Sequence, residues 1–371
     1  MTELADRVRH RLVADAALDG AVLAAHDGVV DDAIFDRLRR EVADELIGAG
    51  PLERLLALDG VTDVVVNGPD SVWIDRGCGM ERMSVTFPSD AAVRRLASRL
   101  ANSVGRRLDD AAPFVDAVLA DGTRMHALLP PLAAHPTISL RVLRRRRPDL
   151  DAIVASGAAP PPVDVWLRRI VSRRVSFLVT GGTGSGKTTL LGALLGEAAA
   201  HERLMLIEDA PELVVDHPHV VGLVTRPPNV EGAGGIGLRE LVRQALRMRP
   251  DRLVVGEFRG AEIAELLVAL NTGHRGSAAT MHANSAEDVP ARALALGALA
   301  GLSTSATTSL MSSGIDVVVH LERLGTRRCV SEIGLLRCVG ERLRFESGWS
   351  IGNGFGPAAG DLEALLDRGV R

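Results

Sequence analysis

The chain contains no tyrosine, and aromatic residues make up only 3% of its 371 positions. Readers of single-stranded nucleic acid stack bases on aromatic side chains, so that class of partner is disfavoured. A basic excess is missing too: 43 Lys and Arg stand against 47 Asp and Glu, a net charge of −4. No overall field draws the protein to nucleic acid or anionic lipid. Cysteine is scarce. Cys78, Cys329 and Cys338 form no C-x-x-C pair, which removes the usual zinc signal and suits a reducing compartment. No apolar run approaches the roughly 20 residues of a membrane-spanning helix. The Ala- and Leu-rich stretch from Arg292 to Leu302 is too short and is expected as a buried helix. The first residues, Met1 to Arg7, are charged and lack the apolar core of a signal peptide. These absences predict a soluble protein, free to dock at a membrane surface.

Hydrophobic residues reach 46%, ample for packed cores, and the length suits roughly two domains. One stretch carries chemistry outright. Gly181-Gly182-Thr183-Gly184-Ser185-Gly186-Lys187-Thr188 fits the phosphate-loop pattern G-x-x-x-x-G-K-[ST] at every fixed position. An apolar, β-prone run from Val175 to Thr180 precedes it, and a helical run from Thr189 to Leu195 follows. Strand, glycine loop and helix is the arrangement that separates a phosphate loop from a chance glycine-rich turn. Loop amides from Gly182 through Thr189 would then face phosphate oxygens at a helix N-terminus. Lys187 would reach the β- and γ-phosphates, and the Thr188 hydroxyl would ligate Mg²⁺.

The rest of the chain divides around this loop. Residues 1–50 read as a helical segment closed by Gly48-Ala49-Gly50-Pro51. Short strands are predicted at 62–66 and 71–75 around an Asn67-Gly68-Pro69-Asp70 turn, a helix over 90–104, and strands over 123–128 and 137–142. This makes 51–143 an α+β domain. Arg144 to Arg147 and Pro160-Pro161-Pro162 mark 144–162 as a connector. The four arginines could bind nucleic acid, but a solvated linker or subunit contact is the plainer reading. From 163 to 371, strands at 177–180, 204–208, 253–257 and 277–282 alternate with helices, the pattern of a parallel sheet. The glycines at 352, 354, 356 and 360 suggest a flexible tail.

Ligands lie at the C-terminal ends of strands in such sheets. One apolar run there ends in Glu208, Asp209 and Glu212, which is either a solvated acidic turn or an acid site. A second, Leu253 to Gly256, delivers Glu257 at the position of a Walker B acid, with Gly-Glu in place of the usual Asp. His274 and His282 flank a third strand. His282, at its end, faces the ligand side, whereas His274 in a turn suits a capping or interface role.

Taken together, these blocks closely resemble the ATPases of type II and type IV secretion systems. That family carries a Walker A loop, an aspartate box, a Gly-Glu Walker B and a histidine box in this order. The run Leu246-Arg247-Met248-Arg249-Pro250-Asp251 also fits it. Gly48 to Glu53, Val64 to Gly68, Asp121-Gly122-Thr123-Arg124 and Ile138-Ser139-Leu140-Arg141 resemble the first domain of Tad (Flp) pilus assembly motors. The resemblance implies an α/β fold: a RecA-like P-loop NTPase domain with a parallel sheet, preceded by a smaller α+β, PAS-like domain. It further implies a homohexameric ring that hydrolyses ATP with Mg²⁺. The ring would work on inner-membrane platform proteins at the inner face of the cytoplasmic membrane, with no nucleic acid as partner. Glu208 is then the expected water activator with Glu257 as rival, and Thr188 and Glu257 hold the metal. Lys187 and His282 stand at the phosphates, and Arg124 and Arg141 reach them when the first domain closes. Structural ion pairs are the other reading of those two arginines. Two departures stand out. Val118 stands where the family often has an arginine, and the four-cysteine zinc motif of the type II branch is missing. A conjugative type IV motor is the nearest alternative, and a nucleic-acid translocase a more distant one.

Overall fold

The computed structural model describes residues 48–77, 79–142, 148–226, 228, 233–271, 273–325 and 327–368. The expected N-terminal helical segment and the Arg144–Arg147 run lie outside them. The chain divides into two compact units between Arg144 and Arg145.

In the first unit a short helix, α1 (Glu53–Leu56), leads into strands β1 (Asp63–Asn67), β2 (Val72–Asp75) and β3 (Met80–Met83). Helix α2 (Asp90–Ser103) follows, then β4 (Phe114–Val118), β5 (Arg124–Leu128) and β6 (Thr137–Arg141). The strands form one antiparallel sheet in the order β3-β2-β1-β6-β5-β4. Alternation sets its inner face: Val64, Val66, Ile74, Met125, Ala127, Ile138 and Leu140 are buried, and the residues between them are not. Helix α2 places Val93, Leu96, Ala97 and Leu100 in the same core at helical spacing. The sequence reading missed β3 and β4. Met80-Glu81-Arg82-Met83 carries no buried residue, so it gives no alternation to read.

The second unit opens with α3 (Leu150–Ala155) and α4 (Val163–Ser172). The predicted connector is therefore partly helical, because Leu150 and Ile153 pack into the core and Asp149 caps the helix by accepting from Ala152 N. Strand β7 (Phe177–Gly181), helix α5 (Lys187–Gly196), β8 (Leu204–Glu208), β9 (Val220–Val224) and α6 (Leu238–Leu246) come next. Then follow β10 (Arg252–Phe258), α7 (Ile263–Asn271), β11 (Ala278–His282), α8 (Val289–Leu299), α9 (Thr304–Gly314) and β12 (Val317–Leu324). The chain closes with β13 (Arg327–Val339), β14 (Arg342–Ser350), β15 (Gly354–Phe355) and α10 (Ala359–Arg368).

These nine strands form one sheet, ordered β15-β14-β13-β12-β7-β11-β10-β8-β9. From β12 to β9 every pairing is parallel, and from β12 to β15 every pairing is antiparallel. Alternate residues of the parallel strands feed two cores. Phe177, Val179, Leu204 and Leu206 face α3, α4, α5 and α10, while Leu178, Met205, Ile207 and Val255 face α6, α7, α8 and α9. Burial on both faces is why these strands read as unbroken apolar runs. The glycine-bearing tail is ordered, contrary to the sequence expectation. Leu362 and Leu366 of α10 are fully buried, and Glu363 accepts from Trp166 Nε1 at 2.6 Å and Arg169 Nη1 at 2.7 Å.

At the lower edge of the parallel sheet sits Arg252, 0% exposed. Its guanidinium pairs with buried Glu202 and donates to Val171 O at 2.8 Å and Gly276 O at 3.2 Å. Burial alone would raise the Glu202 pKa, but the Arg252 hydrogen bonds and charge outweigh it and hold the carboxyl below its ordinary value. Breaking such a pair leaves a buried charge, so Arg252→Ala is expected to lower unfolding free energy by about 3–5 kcal/mol, measured by urea denaturation. The depressed pKa also sets the sign with pH. The stability it contributes is present in full above the unfolded glutamate value of about 4.3 and is lost as pH falls through the lower folded value. A wild-type acid profile that the Arg252→Ala variant shares unchanged would contradict this.

Candidate nucleotide-binding site

The loop between β7 and α5 is built on glycine where a side chain has no room. At Gly181, with φ of +148°, an added Cβ would stand 2.4 Å from Leu321 O and 2.6 Å from Ser185 Oγ. Gly186 caps α5 in the left-handed region, with φ of +99°. Between them Ser185 is buried, and its Oγ has no hydrogen-bond partner among the described residues. An orphaned hydroxyl inside a glycine cradle at a helix N-terminus fits a loop made for an anion. Lys187 Nζ folds back over that cradle, donating to Gly181 O at 2.9 Å and Gly182 O at 2.8 Å. Burial lowers its pKa and Arg259 lowers it further, while Glu257 and Glu212 pull it up. Thr188 and Thr189 sit half-buried on the first turn of α5.

The parallel strand order places the other groups along the same edge of the sheet. Strand β11 lies beside β7 in a register that sets His282 opposite Gly181. Strand β10 is next, and its pairing with β11 shifts between Val255 and Phe258, the stretch that bears Gly256 and Glu257. Strand β8 follows and ends at Glu208. The structure thus brings the phosphate loop, His282, Glu257 and Glu208 to one edge.

The two acids differ sharply. Glu208 is 6% exposed, and its Oε1 accepts from Glu212 N at 3.0 Å and Leu213 N at 2.8 Å. It folds the acidic turn from within. A Cβ on Gly256 would lie 3.0 Å from Glu208 Cγ, so the glycine before Glu257 makes room for the neighbouring acid. Glu257, with a side chain 26% exposed, takes two hydrogen bonds from Arg259 on Oε2, from Nε at 2.8 Å and Nη2 at 2.5 Å. Thr280 Oγ1 donates to Gly256 O at 2.6 Å, tying β11 to β10 beside it. His274 lies in the turn after α7, with Nδ1 3.1 Å from Ala269 O, the capping role allowed for it from sequence.

Two residues of this edge escaped the sequence reading. Arg259 was visible only as the charge following a Walker B strand. His320 is 1% exposed on β12, opposite Thr180, with Nδ1 2.8 Å from Thr180 Oγ1. Burial lowers its pKa. Its signal was an apolar strand after the histidine box, which the sequence reading did not extend to. In the first unit, Arg124 and Arg141 stand directly opposite each other on β5 and β6. Arg141 Nε donates to Asp63 Oδ1 at 3.0 Å.

Comparison with known proteins places this edge in context. Residues 45–346 match the family "Type II/IV secretion system protein". The chain belongs to that family. The match runs through both units. A putative conjugal transfer protein of Mycobacterium tuberculosis is 51% identical over 336 residues, covering 88% of this chain and 95% of the relative. The conjugal transfer protein TrbB of Rhizobium radiobacter is 31% identical over 308 residues, covering 80% and 90%. Among solved structures, the Legionella pneumophila ATPase DotB superposes with a TM-score of 0.52 at 18% identity, covering 84% of this chain and 82% of that one, a likeness of fold. The fold is thus α/β of the RecA-like kind. Among the described residues no helix is long and apolar enough to cross a membrane.

The tight approach at Gly181 yields a direct test. Gly181→Ala should lower stability by about 2 kcal/mol, the range for overpacking a closed site. In Gly182→Ala the new Cβ meets nothing within 4 Å, and the change should stay within about 0.5 kcal/mol. Thermal denaturation of the two variants side by side decides it.

Proposed function

We propose that this chain is an ATP-hydrolysing motor that drives a secretion or pilus machine. The observation that carries the reading is the convergence on one sheet edge of a glycine cradle with an orphaned Ser185 hydroxyl, Lys187, His282 and two acids of distinct environment. ATP fits the cradle: loop amides from Gly182 to Thr189 take the phosphates at the N-terminus of α5. Lys187 exchanges the carbonyls of Gly181 and Gly182 for the β- and γ-phosphates. Thr188 and Glu257 would hold Mg²⁺, which when bound neutralises charge on the β- and γ-phosphates. Glu257, whose charge acts on Lys187, is the acid we assign to the attacking water. Glu208 instead shapes the turn that carries Asp209 and Glu212. His282, in register with Gly181, would contact the γ-phosphate side.

The remaining parts follow from the family resemblance. Six copies would form a ring, and Arg124 and Arg141 would complete a neighbouring nucleotide site when the first domain closes. Their register on β5 and β6 puts the two residues side by side, which supports a joint role. The motor would sit at the inner face of the cytoplasmic membrane and push on platform proteins there. The first-domain motifs favour a Tad (Flp) pilus machine. The names of the relatives favour conjugal transfer, which is the second reading.

Release of phosphate from ATP by the purified chain tests the proposal. Lys187→Ala should abolish it, and turnover at the wild-type rate in that variant would sink the assignment. Glu257→Gln should slow turnover by about 100-fold or more, the scale of removing a positioned acid or base. Glu208→Gln retains an oxygen for the two loop amides and should lose far less. Equal losses in the two variants would return Glu208 to the water-activating role. Strong stimulation by DNA would favour a nucleic-acid translocase.

A further inference from the structure

Arg259 has no part in the reading above, yet its side chain is the nearest positive partner of the Walker B acid. Its backbone is anchored: Arg259 N and Gly260 N donate to Glu262 Oε1 at 2.7 and 2.8 Å, and Glu262 is buried. Its guanidinium is 54% exposed and forks onto a single oxygen, Glu257 Oε2. Nη1 lies 4.0 Å from Asp209 Oδ2, and Glu212 adds to the same negative field. Three carboxylates thus surround one arginine at the place where a divalent ion would be held.

We propose that Arg259 is the resident counter-cation of the metal site, holding the Glu257 carboxylate until a divalent ion displaces it. The inference rests on the Mg·ATP reading of the site and adds a competitor to it. Glu257 Oε2 cannot accept two hydrogen bonds from Arg259 and also coordinate a hard cation in full, so one must yield. The anchored backbone and exposed head let the guanidinium swing without disturbing β10. An exposed ion pair is weak, so the exchange costs the metal only a few-fold in affinity. In return the acid is held in place, and the acidic cluster stays neutralised, while the site is empty. The competition also links metal arrival to the release of a positive charge beside the phosphates.

The test uses the full chain loaded with a non-hydrolysable ATP analogue. Mn²⁺ binding is followed by electron paramagnetic resonance, and metal-free affinity for a fluorescent ATP analogue is measured in EDTA. Arg259→Gln should bind Mn²⁺ about three- to fivefold tighter than wild type, the scale of an exposed ion pair. Its affinity for the analogue in EDTA should be unchanged, and Arg259→Lys should stay near wild type in both. Arg259→Met, which keeps the aliphatic stem, carries the same expectation as the Gln variant should the latter fail to melt cooperatively. Unchanged or weaker Mn²⁺ binding overturns the proposal. So does lost affinity in EDTA, which would make Arg259 a phosphate ligand. A wild-type chain that binds no analogue at all overturns the Mg·ATP reading and this inference together, whereas normal analogue binding with a Mn²⁺ affinity indifferent to Arg259 overturns this inference alone.

Discussion

The second unit depends on one buried cation. Arg252 enters the core at the start of β10, where it touches the carboxylate of Glu202 and the carbonyls that end α4 and precede β11. A guanidinium carries five donors and cannot shed its charge, so burying it commits every neighbour to a fixed place. Around it the same edge is knitted further. Ser277 Oγ accepts from Leu253 N and donates to His274 O, Asp251 accepts from Arg203 N, and Arg174 donates to Asp251 O. With that edge pinned, the strands run in fixed register to the opposite edge. There the polar groups are only partly satisfied: Ser185 Oγ lacks a partner among the described residues, and Lys187 settles for loop carbonyls. A rigid end and an unfinished end of one sheet are what a binding scaffold requires.

The central strands were legible because both their faces are buried, which writes them as apolar runs in the sequence. The glycine loop was legible because its spacing is dictated by backbone geometry. What escaped the sequence reading did so for identifiable reasons. Strand β3 has no fully buried residue and is held by pairing with β2. The antiparallel extension β13 to β15 carries charges such as Arg337, Arg342 and Arg344 along the strands, which hides alternation. The tail glycines read as flexibility, yet one of them, Gly356, stands where the Ser347 carbonyl leaves no room for a Cβ, a packing reason invisible without the fold. The Arg252 network was equally silent, because its partners come from segments far apart in sequence.

At the site, the sequence places acids at two strand ends, and the structure gives them different surroundings. Glu208 and Glu257 look interchangeable as acids at strand ends. Glu208 accepts from the backbone amides of Glu212 and Leu213, whereas Glu257 accepts from the Arg259 guanidinium, contacts that only the fold reveals. The Gly-Glu pair then has a steric meaning. A larger residue at 256 would press on Glu208, so the variant Walker B and the acidic turn are parts of one packed unit.

The closing helix has a further consequence. Helix α10 packs beside α4, with Glu363 and Asp367 held by Trp166 and Arg169, so the last element of the unit lies against one of its first. The polypeptide of this unit is in effect a closed circuit with a seam between α4 and α10. A mechanical load on the chain entering α4 is therefore shared between that seam and β13, whose Val330 N donates to Ala158 O just ahead of α4.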